Sequence, residues 1–198
     1  MPYQKSKSAN KGMTVVYSGD SSVSIKKDGT LAWSNNNPGN LVCGPFSKSH
    51  GAIGCNKDKA VFPDIEAGRK AQTALLKTGR FQNSTIAGAI EQYAPPNQNP
   101  TEKYIQYVAK KTGMPRDKKL SDMTPQEFDS FTKAIRRYEL LTPGTEVTLP
   151  NPDKITNLLH RGAHEPSSDR TLKRVGDTVY RIEKGRMTGS FVCNGRKK

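Results

Sequence analysis

Four asparagines fall within six residues, Asn35-Asn36-Asn37-Pro38-Gly39-Asn40, around a Pro-Gly step. Pro38 fixes its own φ and pushes Asn37 toward extended backbone, while Gly39 supplies a turn. Side-chain amides on a stiff loop offer donors and acceptors together, the set that a hydroxyl- and amide-rich ligand such as an amino sugar needs. The same residues also serve plain turns. Asn36, Asn37 and Asn40 are the candidate binding amides. Tyr93 and Tyr104 are candidate aromatic contacts, although both also suit a helix core. Trp33, the single tryptophan, is either core filler or a sugar-stacking platform.

Breaking a glycosidic bond takes a carboxylic acid that protonates the leaving oxygen, kept in its acid form by burial against apolar groups. A second carboxylate can act as nucleophile or base, and substrate-assisted routes dispense with it. Glu139 is the first candidate, because Ala134-Ile135-Arg136-Arg137-Tyr138-Glu139-Leu140-Leu141 places it among apolar neighbours. Its competing reading is an ion pair with Arg136 or a nearby lysine. Glu66 is the second candidate, close behind the asparagines, although with Asp64 it belongs to a helix start where negative charge is favoured anyway. Glu102 reads as part of a capping box, and Glu91 as an exposed helix position. His160 and His164 are four apart, but Gly162 interrupts them and no Glu lies between, so no metal is expected. No P-loop and no Gly-x-Ser-x-Gly appears, and no cofactor is expected.

Four helices must position these groups. Asp64 caps the first, which carries Ala67, Ala71, Leu75 and Leu76 and stops at Gly79. Ser84 caps the second, with Ile86, Ala89, Ile90 and Tyr93, ended by Pro95-Pro96. Asn99-Pro100-Thr101-Glu102 opens the third, which presents Tyr104, Ile105 and Val108. Thr124-Pro125-Gln126-Glu127 opens the fourth, where Phe128, Phe131, Ile135 and Tyr138 form one stripe. Before them, residues 23–33 read as a hairpin around Lys27-Asp28-Gly29-Thr30 that delivers Trp33 to the asparagines. Residues 1–13 read as a frayed basic start, 14–150 as the catalytic domain, and 151–198 as a basic β-rich extension that aids attachment rather than chemistry.

The 198 residues carry a net charge of +14 and 33% hydrophobic side chains. Such a balance fits an anionic partner: nucleic acid, an anionic membrane, or the bacterial wall with its acidic peptides and teichoic acids. The lysines are scattered over both ends rather than set beside exposed aromatics, which counts against nucleic acid. No apolar run is long enough to span a membrane. The start of the chain lacks the apolar stretch of a signal peptide, so work outside the cytoplasm requires another carrier. Cys43 and Cys55 flank a Gly-rich loop, and a bond between them would contribute ~3 kcal/mol by chain entropy. It would also point to an oxidising compartment, with Cys193 left as a free thiol.

The asparagine stretch with Leu41 is followed by Gly51-Ala52-Ile53-Gly54, Val61-Phe62-Pro63, Glu66-Ala67-Gly68-Arg69 and Tyr93-Ala94-Pro95-Pro96. In that order the chain resembles a group of small lysozyme-like proteins found as phage virion components and in bacterial toxin cassettes, including type VI-like effectors. It is more distantly similar to peptidoglycan glucosaminidases and lytic transglycosylases. The resemblance covers residues 30–144. It implies a mainly α (α+β) fold: a lysozyme-like helical domain with an N-terminal β-hairpin and a small C-terminal β-ribbon. A circular permutation would account for the acid-bearing helix following the asparagine loop. The implied activity is cleavage of peptidoglycan glycan strands, as a muramidase or lytic transglycosylase, with Glu139 as the acid. Family members carry Gly or Ser soon after that Glu, whereas Leu140-Leu141 follow here, and a non-catalytic wall-binding module is the alternative. The implied setting is a monomer acting in the periplasm or wall of a target bacterium, or carried on a virion. Peptidoglycan and a cognate immunity or inhibitor protein are the implied partners.

Overall fold

Lys5–Ala9, polar or small throughout, forms strand β1 instead of fraying. The computed structural model describes residues 3–9, 12, 14–139 and 141–151, together with the strands within 171–192. In it β1 pairs antiparallel with β2 (Thr14–Ser18), and β2 with β3 (Ser22–Lys27). The other edge of β3 takes a strand from far along the chain, Thr145–Pro150. The result is a four-stranded antiparallel sheet. Its register places Tyr17 opposite Ser24, and Val15 opposite Lys26. All four are buried. The inner face of β3 is thus its polar one, while Val23 and Ile25 pair with Leu149 and Val147 on the half-exposed face.

Trp33 does not reach the asparagines on a strand. It sits in α1 (Leu31–Ser34), a single helical turn capped by Thr30. After the asparagine loop come α2 (Pro45–Ser49) and a small hairpin, β4 (Gly54–Asn56) with β5 (Lys59–Val61). The Cys43–Cys55 disulfide joins the loop's exit to β4. Asp64 caps α3 (Ile65–Leu76) as expected, accepting from the Ala67 N–H at 2.8 Å. The short α4 (Gly79–Gln82) precedes α5 (Ile86–Tyr93), whose cap is Thr85 rather than Ser84. α6 (Thr101–Thr112) has no side-chain cap, because Asn99 bonds Pro95 and Glu102 pairs with Arg116. α7 (Pro125–Tyr138) has the expected capping box of Thr124 and Glu127, but it stops at Tyr138, well before Gly144. The closing strand Thr145–Pro150 is β6. β7 (Thr171–Val175), β8 (Thr178–Glu183) and β9 (Arg186–Val192) form a separate three-stranded antiparallel sheet. His160, His164 and Cys193 lie outside the described residues.

Three apolar clusters hold these pieces. The largest joins α4 to α7 through Phe81, Ile86, Ile90, Ile105, Phe131 and Ile135. A second, Leu41, Ala60, Phe62 and Ala71, seats the asparagine loop against α3. Val15, Tyr17 and Val61 bind the sheet to the β4–β5 hairpin. Gly68 permits the closest approach, since an added Cβ would land on the Asn36 carbonyl oxygen.

The mainly α, lysozyme-like expectation is therefore corrected. Among the described residues seven helices share the chain with a four-stranded sheet and a two-stranded hairpin, a mixed α+β fold. The permuted arrangement goes with it, and the N-terminal hairpin is part of the larger sheet. Pairing with β2 and β3 recruits β1, which has no apolar face to announce it, and β6, which offers only Val147 and Leu149.

Candidate functional site

The asparagine loop is built by its own amides. Asn37, fully buried, donates from Nδ2 to the Leu41 and Ala60 carbonyls and accepts from the Leu41 N–H, each at 2.9 Å. Asn36 donates to the Phe62 carbonyl and accepts from the Lys26 ammonium at 2.7 Å. Asn36 and Asn40 both take left-handed backbone, with φ of 51° and 48°. Asparagine tolerates that conformation better than most residues. Two of the three candidate binding amides thus have internal partners on both sides. Asn40 differs, being half-buried and turned toward α7.

Glu139 is the C-cap of α7, and two neutral donors clamp its carboxyl. Asn40 Nδ2 donates to Oε2, and the Tyr104 hydroxyl donates to Oε1, both at 2.9 Å. Tyr104 stacks on Tyr138 with ring centroids 3.7 Å apart, so the clamp rests on an aromatic wall. Among the described residues no ion pair reaches Glu139. Arg136 points to α3 instead, donating from Nε to Gln72 Oε1 at 2.6 Å and from Nη2 to Thr73 at 3.2 Å. Gln72, fully buried, lies 3.5 Å from the Tyr93 hydroxyl, which donates to the Gly39 carbonyl. The structure thus brings Asn40, Tyr104, Tyr93 and Glu139 around one loop end. Burial first, and then the charge of Glu139, holds the Tyr93 and Tyr104 phenols far above their usual range. Both stay protonated and remain donors.

Glu66 is elsewhere. It is exposed on the first turn of α3, 3.4 Å from Arg69. There it borders an open depression of about 570 Å³ between α3 and α7. No hydrogen bond or ion pair among the described residues connects it to Glu139.

A stretch of 59 residues is 42% identical to Protein P5 of Pseudoalteromonas phage PM2. That stretch is 29% of this chain and 37% of the phage protein, so the chain spans little more than a third of its relative's length. No family model matches the chain, and no solved structure matches it.

Lys26 and Gln72 escaped the sequence reading. Lys26 is 8% exposed, 4.7 Å above the Trp33 ring and 3.8 Å from Glu146. Burial pulls its ammonium below the usual lysine range, against the opposing pull of Glu146. Trp33 therefore faces a protein cation rather than a free platform. The signal for Gln72 was a polar residue one step from Ala71 on the buried side of α3. No group of three or more metal-ligating side chains gathers among the described residues, and no described helix is long and apolar enough to cross a membrane.

Proposed function

We propose that the protein cleaves the glycan strand of peptidoglycan, with Glu139 giving a proton to the leaving glycosidic oxygen. The observation that carries this reading is the clamp of Asn40 and Tyr104 on one half-buried carboxyl. A general acid must alternate between two protonation states in one position. Ionised, Glu139 accepts from both neighbours. Protonated at Oε2, it needs an acceptor, and Asn40 Oδ1 is buried without a partner among the described residues. Half a turn of that amide exchanges donor for acceptor, so the same clamp serves both states. Asn36 and Asn37 then shape the loop, while Asn40 touches the acid.

Among the described residues no hydrogen bond ties a second carboxylate to Glu139, whose partners are Asn40 and Tyr104. A lone carboxyl favours chemistry in which the substrate supplies the second group, as in lytic transglycosylation, over a two-carboxylate hydrolysis. Partial likeness to a phage protein suits carriage to the wall of a target bacterium, on a virion or by a secretion machine. The net charge of +14 suits the anionic wall, with an immunity or inhibitor protein as a further partner.

Purified wall incubated with the full chain, followed by mass spectrometry of the products, tests the reading. Anhydro ends identify transglycosylation and reducing ends hydrolysis, which differ by one water. Glu139→Gln is expected to stay folded and lose cleavage by about a hundred- to ten-thousand-fold. A variant that keeps most of its activity overturns the assignment. The second reading, a wall-binding module, rests on the same hydrogen bonds, which also pin the end of α7 to the loop. It predicts wall binding by the unaltered chain with no soluble products.

A further inference from the structure

The depression between α3 and α7 is unlike the Glu139 site in charge and openness. Five cations border it: Arg69 and Lys70 from α3, Lys77 at its C-cap, and Lys133 and Arg136 from α7. Two carboxylates oppose them, and each is taken by its own helix: Glu66 by Arg69 at 3.4 Å, and Asp129 by Lys133 at 2.7 Å. Lys70, Lys77 and Arg136 have no ion-pair partner among the described residues. Three positive charges are left over on one concave wall.

Arg136 gives that wall a fixed centre. Its guanidinium is half-buried and oriented by Gln72 and Thr73, which use two of its five N–H donors. Three donors remain on a group whose orientation is already set, so little order is lost when an anion arrives. The lysines stand to either side along α3, seven residues or roughly 10 Å of helix apart. One oriented fork with a point charge on either side suits a chain of anions rather than a single ion.

We propose that this groove binds a linear phosphodiester polymer without bases, of the poly(glycerol phosphate) kind, and so holds the protein on an anionic wall polymer. Phosphate matches both the fork and the point charges. Nucleic acid is the competing phosphodiester. Single strands are held by exposed aromatic platforms, whereas the groove's lining contains no aromatic ring and Phe128, 5.8 Å from Lys77, is half-buried against the helical core. The site is independent of Glu139 chemistry, and its ligand need not be cut.

The test uses the full chain carrying Glu139→Gln, so that cleavage plays no part, and titrates it at ~0.1 M salt with three probes. These are poly(glycerol phosphate), oligothymidylate of equal phosphate number, and polyglutamate of equal charge. Poly(glycerol phosphate) is expected to bind most tightly. Adding Lys70→Gln and Lys77→Gln, both at exposed positions, should weaken it about tenfold and make its salt dependence shallower. Tighter binding of oligothymidylate makes the surface a nucleic-acid site and overturns the proposal. Equal binding of polyglutamate reduces it to bulk charge, and unchanged affinity in the lysine variant removes the groove from the interaction. Either result overturns it as well. Loss of wall cleavage by Glu139→Gln with intact polymer binding would support both readings separately.

Discussion

The 35–40 loop and the α3–α7 groove are both tied to Gln72, and they treat polar groups in opposite ways. On the loop side, Gln72 reaches Tyr93, whose hydroxyl holds the Gly39 carbonyl. Each asparagine there has at least one internal partner, with only Asn35 Nδ2 and Asn40 Oδ1 in the loop buried without one among the described residues. On the groove side, Gln72 accepts from Arg136, and beyond it Lys70 and Lys77 have no ion-pair partner among the described residues. A polar group with internal partners contributes rigidity, and disturbing it leaves a buried donor or acceptor unmet. A polar group without them is available to a ligand and costs little to change. The loop side therefore suits chemistry at a fixed position, and the groove suits attachment.

Alkaline pH should separate the two regions most strongly. Burial holds the Tyr17, Tyr93 and Tyr104 phenols well above the ordinary value of 10.0. All three belong to the sheet or the loop side. Below pH 10 these phenols are protonated whether the chain is folded or not, and their contribution is complete. Above it the unfolded chain releases protons that the folded chain retains, so stability falls as pH rises. Each phenol can remove up to about 1.4 kcal/mol per pH unit. Urea midpoints between pH 8 and 11 should be flat at first and then drop steeply. A midpoint that stays level through pH 11 would mean that these hydroxyls are open to solvent.

Substitution should show the same contrast on a smaller scale. Asn37→Ala removes three hydrogen bonds made by one fully buried side chain, and is expected to cost about 3 kcal/mol. Lys70→Ala and Lys77→Ala should each stay within about 0.5 kcal/mol of the unaltered chain. Chemical denaturation of the three variants decides the matter. Equal costs would erase the distinction between an internally bonded loop and a spare-charge groove.

How much of this was legible depended on whether the cause was local. Asp64, Thr124 and Glu127 could be read because a cap is decided within four residues, and the disulfide because its cysteines flank one short loop. The sheet was not legible in the same way. β1 is Lys-Ser-Lys-Ser-Ala, and β6 pairs with β3 across more than a hundred residues. In β3 the alternation of Val23 and Ile25 points the wrong face inward, because Lys26 reaches the buried Asn36 and Ser24 bonds Glu146. The partners that make a buried lysine tolerable lie far away in sequence. At the candidate site Glu139, Asn40, Tyr93 and Tyr104 could be named from residue type. That the Asn36 and Asn37 amides are used internally could be seen only once the Phe62 and Ala60 carbonyls were placed.

A finer expected effect concerns Asn40, and it bears directly on the acid. Asn40 has two properties: a left-handed backbone at φ 48°, and an amide that reaches Glu139. Asn40→Ala removes the amide and with it the local polar compensation that lets a side-chain-bearing residue hold that backbone, a penalty of about 1 kcal/mol. Asn40→Gly removes the amide but accepts the backbone without strain. The alanine variant should therefore be the less stable by about 1 kcal/mol. Cleavage should fall alike in both, by about tenfold, the worth of one hydrogen bond. Stability then reports the backbone, and rate reports the amide. If glycine restores the rate while alanine does not, Asn40 only shapes the loop, and the exchange of its donor and acceptor at Glu139 plays no part. If both lose rate equally while differing in stability, the amide acts on the carboxyl itself.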